Sequence, residues 1–302
     1  MPPKKHISVC ICTYKRPQLL AQLLSKLKNQ KTGGLFEYSI VVVDNDKLET
    51  ARQIVESHSS RSQVSIGYYV EPEQNIALAR NMAVQHARGD FIAFIDDDES
   101  PIAEWLFRLH AALQSHNVDG VLGPVKPLFA VPPPSWMIEA HIFERPGYQQ
   151  NGVVLDWKQT GTGNMLARRD TLNQISGPFR REFGSGGEDQ DFFRRAIEAG
   201  KVFFWCQDAI VYETVPVERT RLSFQLRRAL LRGKVSLTDP SNRVCEVLKS
   251  LVAFGLYTSL LPVFFIIRQG LFISYLIKNF DHMGRILGAF GIDIVREKYV
   301  VK

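Results

Sequence analysis

Residues 91–100 read FIAFIDDDES, and this stretch decides the fold of the chain. Its first half is an uncharged run rich in Ile and Phe, which is typical of a strand buried on both faces of a parallel sheet. The run stops at four consecutive carboxylates, Asp96 to Glu99, which repel one another unless a cation neutralises them. Open α/β sheets bind ligands at the carboxyl ends of their strands. We therefore predict a site for Mg²⁺ or Mn²⁺, hard cations that prefer oxygen ligands.

The same residues allow a second interpretation. A solvated acidic turn can precede a helix that begins after Pro101, because the helix dipole favours carboxylates at its N-terminus. The metal site is the interpretation that the rest of the chain supports.

Short β-rich runs alternate with segments of helical periodicity along the first 115 residues. The predicted strands are 7–13, 39–43, 64–70 and 91–95, and the predicted helices are 18–29, 50–58, 76–87 and 104–115. Polar residues gather where the strands end. This alternation predicts an α/β fold with a doubly wound, mostly parallel sheet. No GxGxxG follows the first strand, so a dinucleotide cofactor is not favoured.

Further strands are predicted at 118–125, 202–206 and 209–213, and the turn 161–163 leads into another. A helix is predicted to begin near Asp170. Glycines at 184–187 form a loop before a helix that carries Glu188 and Asp189 at its head and runs to 199. Residues 136–159 have weak periodicity and support no secondary-structure prediction.

The composition changes after Thr214, where a cationic segment, 216–234, precedes an apolar one, 244–277. Seventeen residues from 251 to 267 carry no charge, which is the lower limit for crossing a bilayer. Pro262 and a charge at 268 interrupt a single straight span, so we predict a helical pair that lies in or dips into one leaflet. A buried core helix or an oligomer interface is the alternative.

The totals limit the possible classes of protein. Of 302 residues, 45% are apolar and 23% charged, which excludes a disordered chain. The net charge is +6, and Arg and Lys are concentrated between Arg219 and Lys234. Aromatic residues are not interleaved with these cations in a way that suggests nucleic-acid stacking, so no nucleic-acid partner is expected. The four cysteines lack zinc-site spacing and are expected to be reduced. The N-terminus runs into a strand without the apolar core of a signal peptide, which predicts a cytoplasmic location.

Five motifs follow one another in the chain: TYKRP at 13–17, VVVDND at 41–46, NIALARN at 75–81, FIDDDE at 94–99 and GGEDQDFFRR at 186–195. With them the chain resembles the inverting glycosyltransferases of family 2, which have the GT-A fold. Each motif is weak alone, and five in order form a strong signal. The C-terminal run from 284 to Tyr299 is similar to that of bacterial exopolysaccharide glucosyltransferases of the succinoglycan type.

The resemblance implies a GT-A nucleotide-sugar-binding domain over 1–215 and a basic, apolar helical extension over 216–302. It implies that the nucleotide is held by residues of the first four motifs: Thr13, Tyr14, Arg16, Asp44, Asp46, Arg80, Asn81, Asp96 and Asp97. In the family, the aspartate at the position of Asp44 accepts the N3–H of uracil, which selects a base that donates there. A helix cap is the alternative for Asp44, and a surface salt bridge is the alternative for Arg80.

The resemblance also implies metal ligands. Asp96 and Asp98 match the outer members of the family's Asp-x-Asp motif, in which the last aspartate binds a metal on the diphosphate. Which carboxylate of 96–99 holds the metal stays open. Glu213 lies where related enzymes often have a histidine ligand, and a solvent-facing glutamate is the alternative.

Glu188 and Asp189 match the family's Glu-Asp pair. The resemblance makes Asp189 the base that takes a proton from the acceptor hydroxyl, and Glu188 a residue that positions the acceptor. Carboxylates at a helix start are common for dipole reasons alone, so the catalytic interpretation depends on the other motifs.

The predicted function is metal-dependent, inverting transfer of one hexose from a UDP-sugar to a lipid-linked or growing glycan. Processive members carry Gln-x-x-Arg-Trp, and here Ala229 replaces the Trp, which predicts one sugar per acceptor. The cations between 219 and 234 suit anionic lipids or a polyprenyl-diphosphate acceptor, which predicts a peripheral or monotopic protein at the cytoplasmic face of the inner membrane. A sugar nucleotidyltransferase and a non-catalytic, membrane-docked glycan-binding protein are the alternatives; the sugar, the linkage and the oligomeric state stay open.

Overall fold

The structure is a computed structural model that describes residues 4–143, 148, 150–237, 243–292 and 294–295. Tyr299 lies outside the described residues. The chain divides into two compact units. The first comprises Met1–Lys126, Arg145–Gly184 and Glu188–Glu213, and the second comprises Pro127–Glu144, Ser185–Gly187 and Thr214–Lys302. The predicted domain ranges, 1–215 and 216–302, stay predictions.

The strands, in chain order, are β1 Lys5–Thr13, β2 Phe36–Asp44, β3 Ile66–Val70, β4 Phe91–Ile95, β5 Glu99–Pro101, β6 Gly120–Leu122, β7 Val125–Phe129, β8 Gly152–Val153, β9 Asn164–Arg168, β10 Phe203–Trp205 and β11 Val211–Val215. The helices are α1 Pro17–Leu27, α2 Arg52–Ser59, α3 Ile76–His86, α4 Trp105–His116, α5 Ser135–Glu139, α6 Arg169–Gln174, α7 Glu188–Glu198, α8 Leu222–Val235, α9 Arg243–Ile267 and α10 Gln269–Ala289. Short 3₁₀ helices lie at Trp157–Gln159, Arg181–Phe183 and Val217–Thr220.

The first unit is built on an eight-stranded sheet with the order β3-β2-β1-β4-β9-β6-β10-β8. β1 pairs in parallel with β2 and β4, and the pairs β2–β3 and β6–β10 are also parallel. β9 runs antiparallel to β4 and β6, and β8 runs antiparallel to β10. Four of these seven pairings are parallel, so the predicted α/β fold with a mostly parallel sheet is confirmed.

The core of the first unit lies on both faces of this sheet. Alternate residues of a strand point to opposite faces, and β4 is buried on both. Phe91, Ala93 and Ile95 pack in a cluster with residues of α1 and α4. Ile92 and Phe94 pack in a second cluster with residues of α3 and α7. The prediction that 91–95 is a strand buried on both faces is therefore confirmed.

The region 118–125 differs from its prediction as a single strand. β6 ends at Leu122, and β7 begins at Val125. Gly123 lies so close to the backbone of Ala209 that a Cβ atom would overlap the carbonyl oxygen. Pro124 has no N–H to donate to a neighbouring strand. Together the close approach and the missing N–H donor interrupt the single strand that the apolar pattern of 118–125 predicted.

The second unit contains the predicted pair of C-terminal helices, α9 and α10, which are separated by the extended residue Arg268. Pro262 lies inside α9 and does not end it. Among the described residues, α9 is the helix that is long and apolar enough to cross a membrane, and its most apolar part is almost entirely exposed.

Helices α8 and α10 approach each other closely at two glycines. A Cβ atom at Gly233 of α8 would overlap the carbonyl oxygen of Asp281, and one at Gly284 of α10 would overlap that of Leu230. Backbone atoms cannot move aside as the end of a flexible side chain can, so a methyl group at either position forces the helices apart.

We expect Gly284→Ala to lower the free energy of unfolding by roughly 1–3 kcal/mol, the usual cost of overpacking. Urea unfolding followed by circular dichroism measures this change. Gly255→Ala is the matched control, because a Cβ atom at 255 of α9 would meet nothing within 4 Å. The control should be neutral or should gain up to about 1 kcal/mol from helix propensity. Equal effects of the two substitutions would contradict the close approach.

Candidate active site

The carboxyl ends of β1, β2 and β4 lie at one edge of the sheet, because these strands are parallel neighbours. The register places Thr13, the last residue of β1, beside Asp44, the last residue of β2. The hydroxyl of Thr13 donates a 2.7 Å hydrogen bond to Oδ2 of Asp97, which follows β4. The fold therefore joins the first motif to the acidic motif at the edge where α/β sheets bind ligands.

Arg16 neutralises two carboxylates of the acidic motif. Its Nη1 atom donates to Oδ1 of Asp97 and to Oδ2 of Asp98, each at 3.1 Å. Burial raises the pKa of Asp97 above its ordinary value, and the nearby Arg16 opposes that rise. Tyr14 is half-buried, and the ammonium group of Lys15 lies 5.1 Å from the centre of its ring. The sequence did not predict that Arg16 would pair with the acidic motif.

Arg80 of α3 connects the acidic motif to the head of α7. Its Nη1 atom pairs with Oε1 of Glu188, and its Nη2 atom donates to Oδ1 of Asp96 at 3.2 Å. Arg80 is only 7% exposed, so the alternative interpretation of a surface salt bridge is wrong. Burial raises the pKa of Glu188, although Arg80 acts to lower it. Within the described residues, the second oxygen of this carboxylate is buried and accepts no hydrogen bond.

The segment Gly161-Thr162-Gly163 lies beside both groups of carboxylates. A Cβ atom at Gly161 would be 3.5 Å from Oδ2 of Asp189. A Cβ atom at Gly163 would be 2.6 Å from Oε1 of Glu99 and 3.0 Å from Oδ2 of Asp96. Asp189 is half-exposed, and its Oδ1 atom accepts from the backbone N–H of Gln190. Glycine at 163 therefore lets the carboxylates of Asp96 and Glu99 pack against this segment, and the lack of a side chain at 161 leaves space next to Asp189.

Asp44 and Asp46 differ in how fully their carboxylates are bonded. Asp44 is fully buried and accepts hydrogen bonds from the N–H groups of Asp46 and Ala51 and from the hydroxyl of Tyr68. Burial raises its pKa despite these donors. Ala51 is the residue before α2, so the cap alternative for Asp44 has direct support. Asp46 accepts from Leu48 through Oδ1, while its buried Oδ2 atom has no partner in the described part of the chain.

Asn81 is engaged elsewhere. Its Nδ2 atom donates to the carbonyl of Phe179 at 2.6 Å, and its Oδ1 atom accepts from the N–H of the same residue at 3.1 Å. The side-chain amide of Asn81 thus binds the backbone before α7, while the guanidinium group of Arg80 on the same helix pairs with the acidic motif.

The predicted metal ligands lie among these carboxylates. Glu213 pairs with Glu99 across the antiparallel pair β5–β11 and is buried, so the solvent-facing alternative is wrong. In the described ranges, no group of three or more His, Cys, Asp and Glu side chains is placed to hold a metal ion by itself. Mg²⁺ commonly takes one or two carboxylates together with substrate phosphates. The carboxylates of Asp96, Asp98 and Glu213 are oxygen donors of the type that fits a cation sharing its ligands with a diphosphate.

The sequence profile of Glycosyl transferase family 2 matches residues 8–175, more than half of the chain. The chain belongs to glycosyltransferase family 2. Its resemblance to this family is therefore confirmed, and the protein is a glycosyltransferase. This family 2 glycosyltransferase is 34% identical over 231 residues to the succinoglycan biosynthesis protein ExoM of Rhizobium meliloti, covering 76% of the chain and 73% of ExoM. It is 26% identical to the hyaluronan synthase of Pasteurella multocida over 87% of the chain, but spans only 29% of that larger protein.

Solved structures support the fold of this family 2 glycosyltransferase. Residues 1–349 of Staphylococcus aureus TarS in complex with UDP-GlcNAc match with a TM-score of 0.55 at 22% identity, over 70% of the chain and 59% of that structure. The mannosyltransferase PcManGT of Pyrobaculum calidifontis in complex with GDP-Man and Mn²⁺ matches with a TM-score of 0.56 at 19% identity, over 76% of the chain and 62% of that structure. At these identities the likeness shows the fold.

Asp191 holds a cluster of arginines against α7 of the family 2 glycosyltransferase. Its buried carboxylate accepts hydrogen bonds from Arg180, Arg194 and Arg195. Arg195 also donates to the carbonyls of Ser176, Gly177 and Pro178. Burial alone would raise the pKa of Asp191, but the guanidinium groups lower it below its ordinary value. Asp191 is therefore a structural residue, in line with its position in the first turn of the helix.

We expect Asp191→Asn to lower the free energy of unfolding at neutral pH by roughly 2–4 kcal/mol, because it removes the charge that the three arginines are bonded to. The loss is not larger, because the arginines keep some contact with solvent. A lowered pKa stabilises the folded state above the ordinary aspartate pKa, and this contribution is lost as the pH falls through the folded-state pKa. The difference between variant and wild type should therefore shrink below about pH 4. Urea unfolding from pH 3 to pH 8 measures it. Asp170→Asn, at an exposed position, is the charge-matched control and should change little; a difference independent of pH would contradict the assignment.

Proposed function

We propose that the protein is a metal-dependent, inverting enzyme that moves one hexose from a UDP-sugar to a lipid-linked or growing glycan in bacterial surface polysaccharide synthesis. One observation carries this proposal. The ion pairs of Arg80 join Glu188, the neighbour of the candidate base, to Asp96 of the acidic motif at the carboxyl edge of the sheet. A proton acceptor and a diphosphate-binding group must lie this close together for a single sugar to contact both.

The donor binds, in this proposal, at the ends of β1 and β2 and beside the acidic motif. Its nucleotide contacts are taken from the first four motifs: Thr13, Tyr14, Arg16, Asp44, Asp46, Arg80, Asp96 and Asp97. Asn81, predicted with them, binds the backbone of Phe179 with both polar atoms of its amide instead. The Oδ2 atom of Asp46, which has no partner among the described residues, can accept a hydrogen bond from a base, whereas Asp44 already accepts three. The complex of TarS with UDP-GlcNAc supports a UDP-sugar, and that of PcManGT with GDP-Man supports a nucleotide sugar more generally.

Asp98, Asp96 and Glu213 would hold Mg²⁺ or Mn²⁺. Such a cation neutralises the charge that develops on the departing diphosphate. The Mn²⁺ in the PcManGT complex supports divalent metal use. Arg16 also forms ion pairs with Asp97 and Asp98, so a cationic side chain of the chain itself compensates part of the negative charge of the acidic motif.

Asp189 is the proposed base. It takes the proton of the acceptor hydroxyl while that oxygen forms a bond to the anomeric carbon, and the bond from this carbon to UDP breaks on the opposite face. Attack opposite the leaving group inverts the configuration. The Oδ2 atom of Asp189 faces Gly161, where the lack of a side chain leaves room for the acceptor. Glu188, fixed by Arg80, positions the acceptor.

Transfer of a single sugar is supported at position 229. Ala229 of α8 is fully buried, so the Trp of processive members has no space there. Gln225, which precedes it in the same motif, is also buried and donates from Nε2 to the carbonyl of Arg219 at 2.6 Å. Gln225 and Ala229 thus serve packing inside the second unit.

We expect the wild type to release UDP from a UDP-hexose with Mn²⁺ and an acceptor, and Asp189→Asn to lose about 10²–10⁴-fold in kcat, the usual contribution of a general base. EDTA should stop the release, and added Mn²⁺ should restore it. UDP binding by calorimetry should remain in Asp189→Asn, because the substitution keeps the shape of the side chain. Asp170→Asn should match the wild type. Equal UDP release by the wild type and Asp189→Asn would contradict the assignment of Asp189 as the base. Donor binding without turnover would favour a non-catalytic glycan-binding protein.

The second unit is proposed to attach the enzyme to the cytoplasmic face of the inner membrane. Val252 and Ile266 of α9 are 73% and 84% exposed. Two hydroxyl groups of α9 are bonded to α10: the Oγ atom of Ser250 lies 3.2 Å from Nδ1 of His282, and Oγ1 of Thr258 accepts from Nδ2 of Asn279. An exposed apolar face whose hydroxyl groups at 250 and 258 bond to the neighbouring helix suits a lipid environment.

We expect Val252→Glu with Ile266→Glu to remove binding of the full chain to vesicles that contain anionic lipid, measured by flotation. A charged side chain that is inserted among lipid chains raises the free energy of the bound state, and this cost exceeds what a charge gains at the membrane surface. Val153→Glu, at a 49% exposed position of β8, is the control and should float with the vesicles. A wild type that stays unbound would end the membrane proposal.

A further inference from the structure

Asn75, the residue before α3, binds the chain on three sides. Its Oδ1 atom accepts from the N–H of Leu78 at 3.1 Å and so caps the helix. Its Nδ2 atom donates to the carbonyl of Arg181 at 3.0 Å. Its backbone N–H donates to Oδ1 of Asn45, the residue after β2. At 7% exposure, the side chain is buried between these partners.

Gly184 completes a contact between this residue and the segment before α7. The N–H of Ile76 donates to the carbonyl of Gly184 at 3.2 Å. A Cβ atom at Gly184 would overlap the side-chain amide of Asn75. Gly184 has φ −62° and ψ −7°, which any residue adopts, so the contact and not the backbone conformation accounts for glycine here. We call residues 181–184 the docked segment.

α3 therefore holds the head of α7 at two points. Arg80 pairs with Glu188, the first residue of α7, and Asn75 binds the docked segment, which ends four residues earlier. Gly186 and Gly187 between these points have φ of +124° and +88°, a region that favours glycine and gives the connection little stiffness of its own. The position of the helix head then depends on its attachment at both ends of this connection.

We infer that Asn75 is a positioning residue for sugar transfer, which acts through Gly184 to fix the place of Asp189 relative to the acidic motif. This inference rests on the proposed function, in which Asp189 is the base. A base that is displaced by about 1 Å can cost on the order of 100-fold in rate, while the nucleotide contacts remain in place.

Two substitutions isolate this role from helix capping. Asn75→Asp and Asn75→Ser keep a good cap, because Asp and Ser cap helices as well as Asn does. Both keep the backbone N–H that binds Asn45. Neither can donate to the carbonyl of Arg181, since Asp has no donor and Ser is too short. Loss of the hydrogen bond from the side chain of residue 75 to the docked segment is then the change that the two variants share.

We expect both variants and Gly184→Ala to lower kcat for UDP release about 10- to 100-fold, with the Kd for UDP within about twofold of wild type. Hydrogen exchange should become faster in residues 181–189. In the double variant Asn75→Ser with Gly184→Ala, the methyl group fills the space of the lost amide, so kcat should be no lower than in Gly184→Ala, whereas independent defects would multiply.

Val55→Ala in the core of α2 is the control for lost stability, because Val55 is 2% exposed and belongs to no part of the site. It should lower the melting temperature and leave kcat unchanged. Wild-type kcat in the Asn75 variants, or parallel losses of kcat and UDP binding, would overturn the inference. If the wild type releases no UDP, the proposed function fails, and unchanged exchange at 181–189 in the Asn75 variants would overturn the docking role independently.

Discussion

The buried ion pairs of Arg80 are the interaction on which the site depends. Asp96 to Glu99 and Glu188 are carboxylates at one edge of the sheet, and most of them are buried. Burying an uncompensated charge costs several kcal/mol, so these carboxylates can share one edge only if cations lie among them. Arg80 compensates Glu188 and Asp96, and Arg16 compensates Asp97 and Asp98. This arrangement also makes α3 the element that relates the acidic motif to the head of α7.

The two units divide the tasks of the chain. The first holds the sheet and all the candidate catalytic and metal-binding side chains. The second contains α8, α9 and α10, in which close glycine contacts join α8 to α10 while α9 presents apolar side chains outward. The proposed transfer to a lipid-linked acceptor would need both a polar site for a charged donor and an apolar surface for the membrane, and the two units have these opposite characters.

Much of the fold was predictable from local pattern. The strand 91–95 and the helix from Ile76 were predicted to within one residue, because a buried strand needs an unbroken apolar run and a helix needs apolar residues at its own period. Gly123-Pro124 was missed, since a close approach to Ala209 has no signature in the neighbouring residues. The predicted pair of C-terminal helices was confirmed, but Pro262 was expected to interrupt the span and lies inside α9.

The sequence by itself determined the α/β class, the family and the candidate carboxylates, because strand ends, apolar periods and motif order are properties of contiguous residues. Only the tertiary structure decided which of those carboxylates are already bonded. Asp44 accepts three hydrogen bonds, while Asp46 keeps an oxygen without a partner in the part of the chain that the structure describes. Arg80 meets Glu188 across 108 residues of sequence. Hydrogen bonds and ion pairs depend on distances of about 3 Å between groups that the chain brings together only when it folds, so no local pattern contains them.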